Sequence, residues 1–336
     1  MKSRYALIAS AVAVTMLAAG CSGGSGGGAP QGKPEKTNIV VNAFPAIDSA
    51  GLYIAQTDGL FAAQGLHVTI VPTPKIPPST QDLVNGQEQG EWDITAGDYV
   101  TYIEDQLGAM GAPKADLRII AEASFLQPNV LTLLVKGGSP ITQVSQLKNK
   151  IVSVNAPNDI GTLLIDSLLV AHGLTPQQVH YASNVPFPIV ADTLANPKSP
   201  ISASFAPEPF ASLGEAGRGL QELADLDQGS TQDFPIQGYA VTAAWAKKYP
   251  NTLKAFTTAL SQGQQIADTS RAAVESAIEK YLGIQKGAAA FISLPTYPLG
   301  VDAVRLQRVV GAMTRFGLLP RGTTFNVASM VGSYRV

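Results

Sequence analysis

The sequence predicts an α/β protein, because short apolar runs alternate with amphipathic helical segments along most of the chain. The clearest case is residues 38–71. The run Ile39-Val40-Val41 is typical of a buried strand, and a second β-branched run covers residues 68–71. Between them, Asp48 or Ser49 can cap a helix. A polar loop follows the first strand of this βαβ unit, which is where open α/β sheets place their ligands.

Composition limits the class of protein. The chain has 336 residues, of which 45% are hydrophobic and 14% are charged, as expected for a packed globular protein of about two domains. Its formal net charge of −2 argues against a nucleic-acid partner. Cys21 is the single cysteine, so the sequence predicts no internal disulfide and no thiolate metal site. We expect no cofactor and no metal.

The amino terminus predicts export and lipidation. Lys2 and Arg4 precede the apolar residues 6–18, a pattern typical of a signal peptide over residues 1–20. The segment Leu17-Ala18-Ala19-Gly20-Cys21 resembles a bacterial lipobox, although its leucine lies one position further from the cysteine than usual.

The lipobox resemblance implies that Cys21 carries a lipid such as palmitate. It would hold the protein on the extracytoplasmic side of the cell membrane. The alternative is a plain secretory signal with an incidental cysteine. Residues 21–37 are rich in Gly, Ser and Pro, which predicts a flexible tether.

The α/β pattern occurs twice along the chain. A first set of strands and helices ends near Gly137-Gly138, where the chain can leave one domain. A second set begins at residue 151, and residues 238–243 are predicted to return as a strand to the first domain. We therefore expect lobe I to comprise residues 38–138 and 236–336, and lobe II to comprise residues 139–235.

Four segments resemble one family of receptors. They are Ala50-Gly51-Leu52-Tyr53-Ile54-Ala55, residues 59–68, residues 173–179 (Gly-Leu-Thr-Pro-Gln-Gln-Val) and residues 203–210 (Ala-Ser-Phe-Ala-Pro-Glu-Pro-Phe). In this order they resemble the solute-binding proteins of ABC importers for nitrate, aliphatic sulfonates, taurine and thiamine-precursor pyrimidines. One departure is Ile201-Ser202-Ala203, which stands where many members carry Val-Asp-Ala.

The resemblance implies a type II periplasmic-binding-protein fold. In that fold two α/β lobes are joined by a two-strand hinge, and the ligand lies between them. The resemblance also implies a receptor that delivers a small nutrient to the permease and ATPase subunits of an ABC importer. We expect a monomer without enzyme activity.

Loops at the carboxyl ends of the predicted strands gather polar and aromatic residues, which we expect to contact the ligand. The candidate ligand-binding residues are Phe44, Asp48, Ser49, Asp98, Tyr99, Phe125, Asn158, Asp159, Phe205 and Glu208. Phe187 lies in another of these loops. Each residue has a structural alternative, because the polar residues can cap helices and the aromatic rings can fill the core.

Charge decides the expected class of solute. The candidate loops carry Asp48, Asp98, Asp159 and Glu208 but no Arg, Lys or His. Two like charges about 4 Å apart cost about 4 kcal/mol at an effective dielectric constant near 20, so these loops disfavour an anion. We therefore expect a heteroaromatic or amine-bearing solute, such as a thiamine-precursor pyrimidine.

The alternative within the class is a receptor for aliphatic sulfonates, taurine or nitrate, since folding could bring Lys136 or Arg218 into reach. A different class is an α/β enzyme or a scaffold lipoprotein. Catalytic motifs do not favour it. The histidines lack metal-ligand spacing, and the chain has no Gly-x-Ser-x-Gly elbow and no phosphate loop.

Overall fold

The computed structural model describes residues 32–72, 86, 89–109 and 114–331. The predicted signal peptide, Cys21 and most of the predicted tether lie outside the described residues. Within the described ranges, no helix is both long enough and apolar enough to cross a membrane.

Ten strands of the described chain form two sheets of five strands each. In chain order the strands are β1 (Asn38–Ala43), β2 (His67–Pro72), β3 (Ile94–Asp98), β4 (Leu117–Phe125), β5 (Leu131–Val135), β6 (Ile151–Ser153), β7 (His180–Ala182), β8 (Ala203–Pro207), β9 (Gln221–Asp225) and β10 (Pro235–Thr242). The first sheet has the order β2-β1-β3-β10-β4, and the second has the order β7-β6-β8-β5-β9.

The described α-helices connect and cover these strands. They are α1 (Ala50–Thr57), α2 (Leu60–Ala63), α3 (Tyr99–Leu107), α4 (Ile160–Ala171), α5 (Val190–Ala195), α6 (Phe210–Arg218), α7 (Ala243–Lys248), α8 (Pro250–Thr269), α9 (Arg271–Leu282) and α10 (Ala303–Phe316).

Each sheet has a parallel part and an antiparallel part. β1 pairs in parallel with β2 and β3, and β6 pairs in parallel with β7 and β8. Parallel neighbours need a crossover connection, which α1 and α2 supply between β1 and β2, and α4 supplies between β6 and β7. The parallel strands of each sheet therefore end at one edge, and the predicted α/β class is confirmed.

Apolar side chains cover both sheets. Ile39 and Val41 of β1 belong to one buried cluster with Leu52 of α1 and Phe256 of α8. In the second sheet, Val152 of β6 belongs to a larger cluster that includes residues of α4. Full burial of such a side chain is worth about 1.5–3 kcal/mol, so these clusters fix the strand ends that form the site.

The chain passes between the sheets twice, over residues 126–130 and again over residues 226–234. The sequence predicts residues 130–135 in lobe I, but β5 pairs with β8 and β9 of the second sheet. An apolar strand has the same pattern whichever sheet it joins, and Gly137-Gly138 comes after it. The first crossing therefore lies before β5 rather than at residue 138, and the rest of the lobe division stays a prediction.

Two other strands differ from the sequence pattern. The apolar pattern predicts a strand over residues 201–205, whereas β8 covers Ala203–Pro207. β9, Gln221–Asp225, is not predicted at all, because its residues are mostly polar. Such composition suits the edge position that β9 holds in the second sheet.

The end of the predicted tether is attached to the fold. The Glu35 carboxylate accepts hydrogen bonds from the backbone N–H groups of Asn251, at 3.1 Å, and Thr252, at 2.9 Å, in the first turn of α8. Lys36 lies 2.5 Å from the carboxylate of Asp93. The prediction of a flexible tether as far as residue 37 is therefore wrong for residues 35 and 36. The sequence does not reveal these contacts, because the partner residues are far away along the chain.

Candidate functional site

A cavity of about 710 Å³, counting the part open to solvent, lies between the two sheets. Residues at or just after the ends of β1, β3, β6 and β8 line it, together with residues of β10. Five of the predicted site residues are in this lining: Phe44, Asp48, Asp98, Asp159 and Phe205. The size and the position at strand ends are typical of a small-molecule site.

Asp98 and Asp159 are held in the cavity wall by helix capping. Asp98 caps α3, where its carboxylate accepts hydrogen bonds from the backbone N–H of Thr101 at 3.0 Å and its Oγ1 at 2.7 Å. Asp159 caps α4, accepting from the backbone N–H of Thr162 at 3.1 Å and its Oγ1 at 3.2 Å. The structural alternative is thus correct for both residues, and both also line the cavity.

Asp48 is held by a side chain of β4. It lies in a 3₁₀ turn, Ile47–Ser49, and its carboxylate accepts a hydrogen bond from Ser124 Oγ at 2.5 Å. Ser49 occupies the N-cap position of α1, but its side chain makes no capping hydrogen bond. The prediction that Asp48 or Ser49 caps this helix through its side chain is wrong, because the 3₁₀ turn places Asp48 against β4 instead.

Burial raises the pKa of all three carboxyl groups in the cavity. For Asp159, burial and then the nearby charge of Asp98 raise the pKa to about 7. Glu104 of α3 has its pKa raised to about 8, mainly by burial and then by the charges of Asp98, Asp105 and Asp159. Asp98 ends a strand of the first sheet and Asp159 follows one of the second, so negative charge acts across the cavity.

Three phenylalanine rings form an aromatic wall. The Phe187 ring meets the Phe44 ring edge-on with centroids 5.6 Å apart, and it meets the Phe205 ring edge-on at 5.7 Å. All three residues line the cavity. Rings in this arrangement can contact a flat ligand through their edges and faces.

The remaining predicted residues lie outside the cavity lining. Tyr99 and Ser49 are fully buried. Phe125 lies against Arg305, whose guanidinium carbon is 4.8 Å from the ring centroid. Asn158 occupies a left-handed backbone turn with φ of 56° before α4. A contact between these residues and a ligand stays a prediction.

Glu208 binds groups of the protein itself. Its carboxylate accepts hydrogen bonds from the Ser212 backbone N–H at 3.2 Å, Ser212 Oγ at 2.5 Å and the Ser293 backbone N–H at 3.0 Å. The sequence predicts Pro209 in the first position of this helix and hence Glu208 as the N-cap, whereas the N-cap residue of α6 is Pro209. Glu208 does not line the cavity, so the geometry favours its capping role over contact with a ligand.

Two amide side chains complete the polar lining, and the sequence singles out neither. Asn155 follows β6, and Gln237 lies on β10. Asn155 lies in the same predicted loop as Asp159, so its position after a strand could have identified it as a candidate site residue. Gln237 lies next to a predicted strand, where the sequence does not reveal which residues face the cavity.

No Arg, Lys or His is among the described residues that line this cavity. Lys136 donates a hydrogen bond to the Asn196 carbonyl at 2.8 Å, and Arg218 pairs with Asp192 at 2.5 Å. Neither supplies a positive charge to the site. Among the described residues, no three or more His, Cys, Asp or Glu side chains are grouped to hold a metal ion.

A family model described as "NMT1/THI5 like" matches residues 46–270, which is more than half of the chain. The chain belongs to the NMT1/THI5-like family. The family resemblance predicted from the sequence is confirmed. A search of curated protein sequences finds no match.

Solved structures at low sequence identity share the fold of this family member. The alkanesulfonate-binding protein from Xanthomonas axonopodis pv. citri, bound to MOPS, is 17% identical with a TM-score of 0.69, over 89% of this chain and 99% of that one. The periplasmic nitrate-binding protein from Synechocystis PCC 6803 is 17% identical with a TM-score of 0.70, over 90% and 88%. A desulfurization enzyme is 15% identical with a TM-score of 0.63, over 89% and 97%. The predicted periplasmic-binding-protein fold is confirmed.

Substitution of Glu208 separates its two possible roles. Glu208→Gln replaces one acceptor oxygen with an NH₂ donor, so at least one of the three hydrogen bonds is lost and we expect the free energy of unfolding to fall by about 1–2 kcal/mol. Ligand affinity should change less than about twofold, because the residue lies outside the cavity lining. Chemical denaturation and calorimetry measure the two effects, with Glu215→Gln on the exposed part of α6 as the matched control. Tenfold weaker binding at unchanged stability would restore the ligand-binding role.

The raised pKa of Asp159 predicts that the free energy of unfolding of the ligand-free protein depends on pH. Its folded pKa of about 7 lies above the usual value, so ionisation opposes folding and stability falls as pH rises toward and through 7. Asp159→Asn keeps an acceptor for the Thr162 N–H and removes the charge. We expect the variant to be more stable than the parent at pH 8, by about 2 kcal/mol or more, since one pKa unit corresponds to about 1.4 kcal/mol. The gain should shrink toward pH 5.

Thermal unfolding from pH 5 to pH 9 measures this difference. The matched control is Asp302→Asn at the exposed N-cap of α10, where the carboxylate accepts from the backbone N–H groups of Val304 and Arg305. That variant should show no gain at pH 8. A lower melting temperature for Asp159→Asn at every pH would contradict the assignment of a buried, unfavourable charge.

Proposed function

We propose that this protein is an extracytoplasmic solute receptor that delivers a small nutrient to the permease and ATPase subunits of an ABC importer. A cavity lined by both sheets, with two chain crossings between them, supports the proposal, because such a site can close over a ligand by hinge motion. Two proteins of the same fold are named for the alkanesulfonate or nitrate that they bind. We further propose that the receptor is a monomer anchored through a lipid on Cys21.

The observation that carries the choice of solute is the charge of the cavity. Asp48, Asp98 and Asp159 line it, and no basic side chain of the described lining faces them. A buried carboxylate without a counter-ion is costly, and a cation or an N–H donor from a ligand reduces that cost. The aromatic wall favours a flat ring. We therefore propose a heteroaromatic or amine-bearing solute, such as a thiamine-precursor pyrimidine.

An aliphatic sulfonate, taurine or nitrate is the second candidate, favoured by the names of the two binding proteins of similar fold. Anions often bind at helix N-termini, where backbone N–H groups are free. Here the carboxylates of Asp98 and Asp159 already accept hydrogen bonds at the starts of α3 and α4. An anionic solute would have to displace these carboxylates or lie beside them, so the cavity supports the first candidate.

A ligand panel tests the proposed function. Purified protein is titrated with a thiamine-precursor pyrimidine (4-amino-5-hydroxymethyl-2-methylpyrimidine), benzylamine, taurine and sodium nitrate while the melting temperature is measured. A ligand at 100 times its Kd adds about 2.7 kcal/mol to the free energy of unfolding, which shifts the melting temperature clearly. We expect stabilisation by the pyrimidine or the amine, with none by taurine or nitrate.

Asp98→Asn should abolish the stabilisation, because it removes a charge from the cavity but keeps a capping oxygen for Thr101. Recovery of the pyrimidine unchanged after incubation separates a receptor from an enzyme. Stabilisation by taurine or nitrate alone would reverse the choice of solute, and chemical conversion of the pyrimidine would refute the receptor proposal.

The proposed anchor has its own test. Cys21→Ala removes the thiol that the lipid would occupy, so we expect the variant to lose incorporation of labelled palmitate and to leave the membrane fraction of expressing cells. Cys21→Ala should leave ligand affinity unchanged, since the described cavity is formed by residues from 44 onward. Continued labelling of the variant would contradict the lipoprotein proposal.

A further inference from the structure

Two amides in the cavity wall have polar atoms without partners. Asn155 is 6% exposed and Gln237 is 7% exposed, so both side chains are more than nine-tenths buried. Asn155 Oδ1 and Gln237 Nε2 have no hydrogen-bond partner in the described structure. Buried amide atoms are nearly always paired, and exceptions need an explanation. Both residues line the cavity, so a ligand bound there can supply the missing partners.

The orientation of the Asn155 amide follows from its neighbour. Its side chain hydrogen-bonds the Asp159 carboxylate, and this bond favours the ionised form of that group. An ionised carboxylate only accepts hydrogen bonds, so the amide nitrogen of Asn155 must face it. The amide oxygen therefore remains as an acceptor in the cavity wall.

The backbone at Gln237 is irregular on both sides. The pairing of β10 with β4 shifts register between Pro235 and Gln237, and again between Gln237 and Gly238. On its other side, Gln237 pairs with Asp98 of β3. Such bulges reorient a side chain and are common beside functional sites. Here the irregular segment places the Gln237 amide in the lining that contains Asp98 and Asp159.

We propose that Gln237 and Asn155 recognise a donor–acceptor pattern on the solute. Gln237 Nε2 donates to a ring nitrogen or carbonyl oxygen, and Asn155 Oδ1 accepts from an amino group or a ring N–H. The carboxylates of Asp98 and Asp159 take further N–H groups or a positive charge. The two amides therefore select a flat ring that carries both a hydrogen-bond acceptor and an N–H donor. This inference rests on the proposed function and narrows its solute.

The two amides lie on opposite sheets, Gln237 on the first and Asn155 after a strand of the second. A solute that pairs with both bridges the sheets, whereas a simple amine satisfies only the acceptors. A site with buried hydrogen-bonding groups rejects analogues that leave those groups unpaired. The amides are therefore expected to set selectivity among amine-bearing solutes.

Three ring probes of similar size test the proposal by calorimetry on the full chain. 4-Aminopyrimidine offers acceptors and a donor, pyrimidine offers acceptors only, and aniline offers a donor only. The unmodified protein should bind 4-aminopyrimidine at least about tenfold more tightly than either analogue. Equal binding of aniline and 4-aminopyrimidine overturns the proposal without any variant.

Two variants then assign the atoms. Gln237→Met keeps the length of the side chain and removes its donor, so binding of 4-aminopyrimidine and pyrimidine should weaken about tenfold, with aniline within about twofold. Asn155→Leu removes the acceptor, so binding of 4-aminopyrimidine and aniline should weaken while pyrimidine is unchanged. Equal weakening of all three probes by Gln237→Met shows a structural role only and overturns the proposal.

Gln264→Met is the matched control. Gln264 is a buried glutamine of α8 whose Nε2 donates to the carbonyl oxygens of Glu122 and Ala123, away from the cavity lining. This variant can lower stability but should leave the ratios of the three affinities unchanged. If amines bind without the expected pattern, this inference alone is wrong. If no ring probe binds and taurine or nitrate does, the proposed solute class is wrong as well.

Discussion

Desolvated negative charge in the cavity is the constraint on which the site depends. Asp98 is the last residue of β3 in the first sheet, Asp159 follows β6 of the second, and the charge of Asp98 contributes to the raised pKa of Asp159. The empty protein can reduce this cost by holding a proton on Asp159 or by separating the sheets and admitting water. Under the proposed function, a cationic or N–H-rich solute reduces the same cost when the sheets close over it. Under the proposed function, the solute is thus the counter-ion that favours closure.

The charges cannot move away from the cavity, because the same carboxylates hold the helix starts. Asp98 and Asp159 each accept a backbone N–H in the first turn of a helix, where the partial positive charge of the helix offsets part of the desolvation. Capping and negative charge are separate properties, since an uncharged asparagine also caps. The choice of aspartate at both positions is therefore informative about the cavity rather than about the helices alone.

The α/β class and the approximate position of the site could be predicted from the sequence, because both follow from local patterns. Apolar runs marked the strands, and loops at their ends supplied Phe44, Asp48 and Asp159. Side-chain direction depends on register and helix phase, which local patterns do not contain. Glu208 lies at the carboxyl end of a strand as Asp98 does, yet its carboxylate binds Ser212 and Ser293.

Hydrogen-bond pairing between strands that are far apart in the chain could not be predicted from local sequence patterns either. β5 has the apolar pattern of any buried strand, and only its hydrogen bonds to β8 and β9 assign it to the second sheet. Gln237 enters the cavity through a register shift between strands that are more than a hundred residues apart in the chain. The amide pair is therefore a product of tertiary structure, whereas the acids belong to local loop sequences.

The pKa of about 7 for Asp159 also affects which protonation state of a solute the cavity can bind. Near neutral pH, Asp159 is present in both its protonated and ionised forms. The protonated form can donate a hydrogen bond or a proton to a weakly basic ring nitrogen, and the ionised form can pair with a ring that is already protonated. Both routes end in the same arrangement of proton, ring and carboxylate. Under the proposed function, a quaternary ammonium ion should bind poorly, because it has no exchangeable proton and no N–H for Asn155 Oδ1.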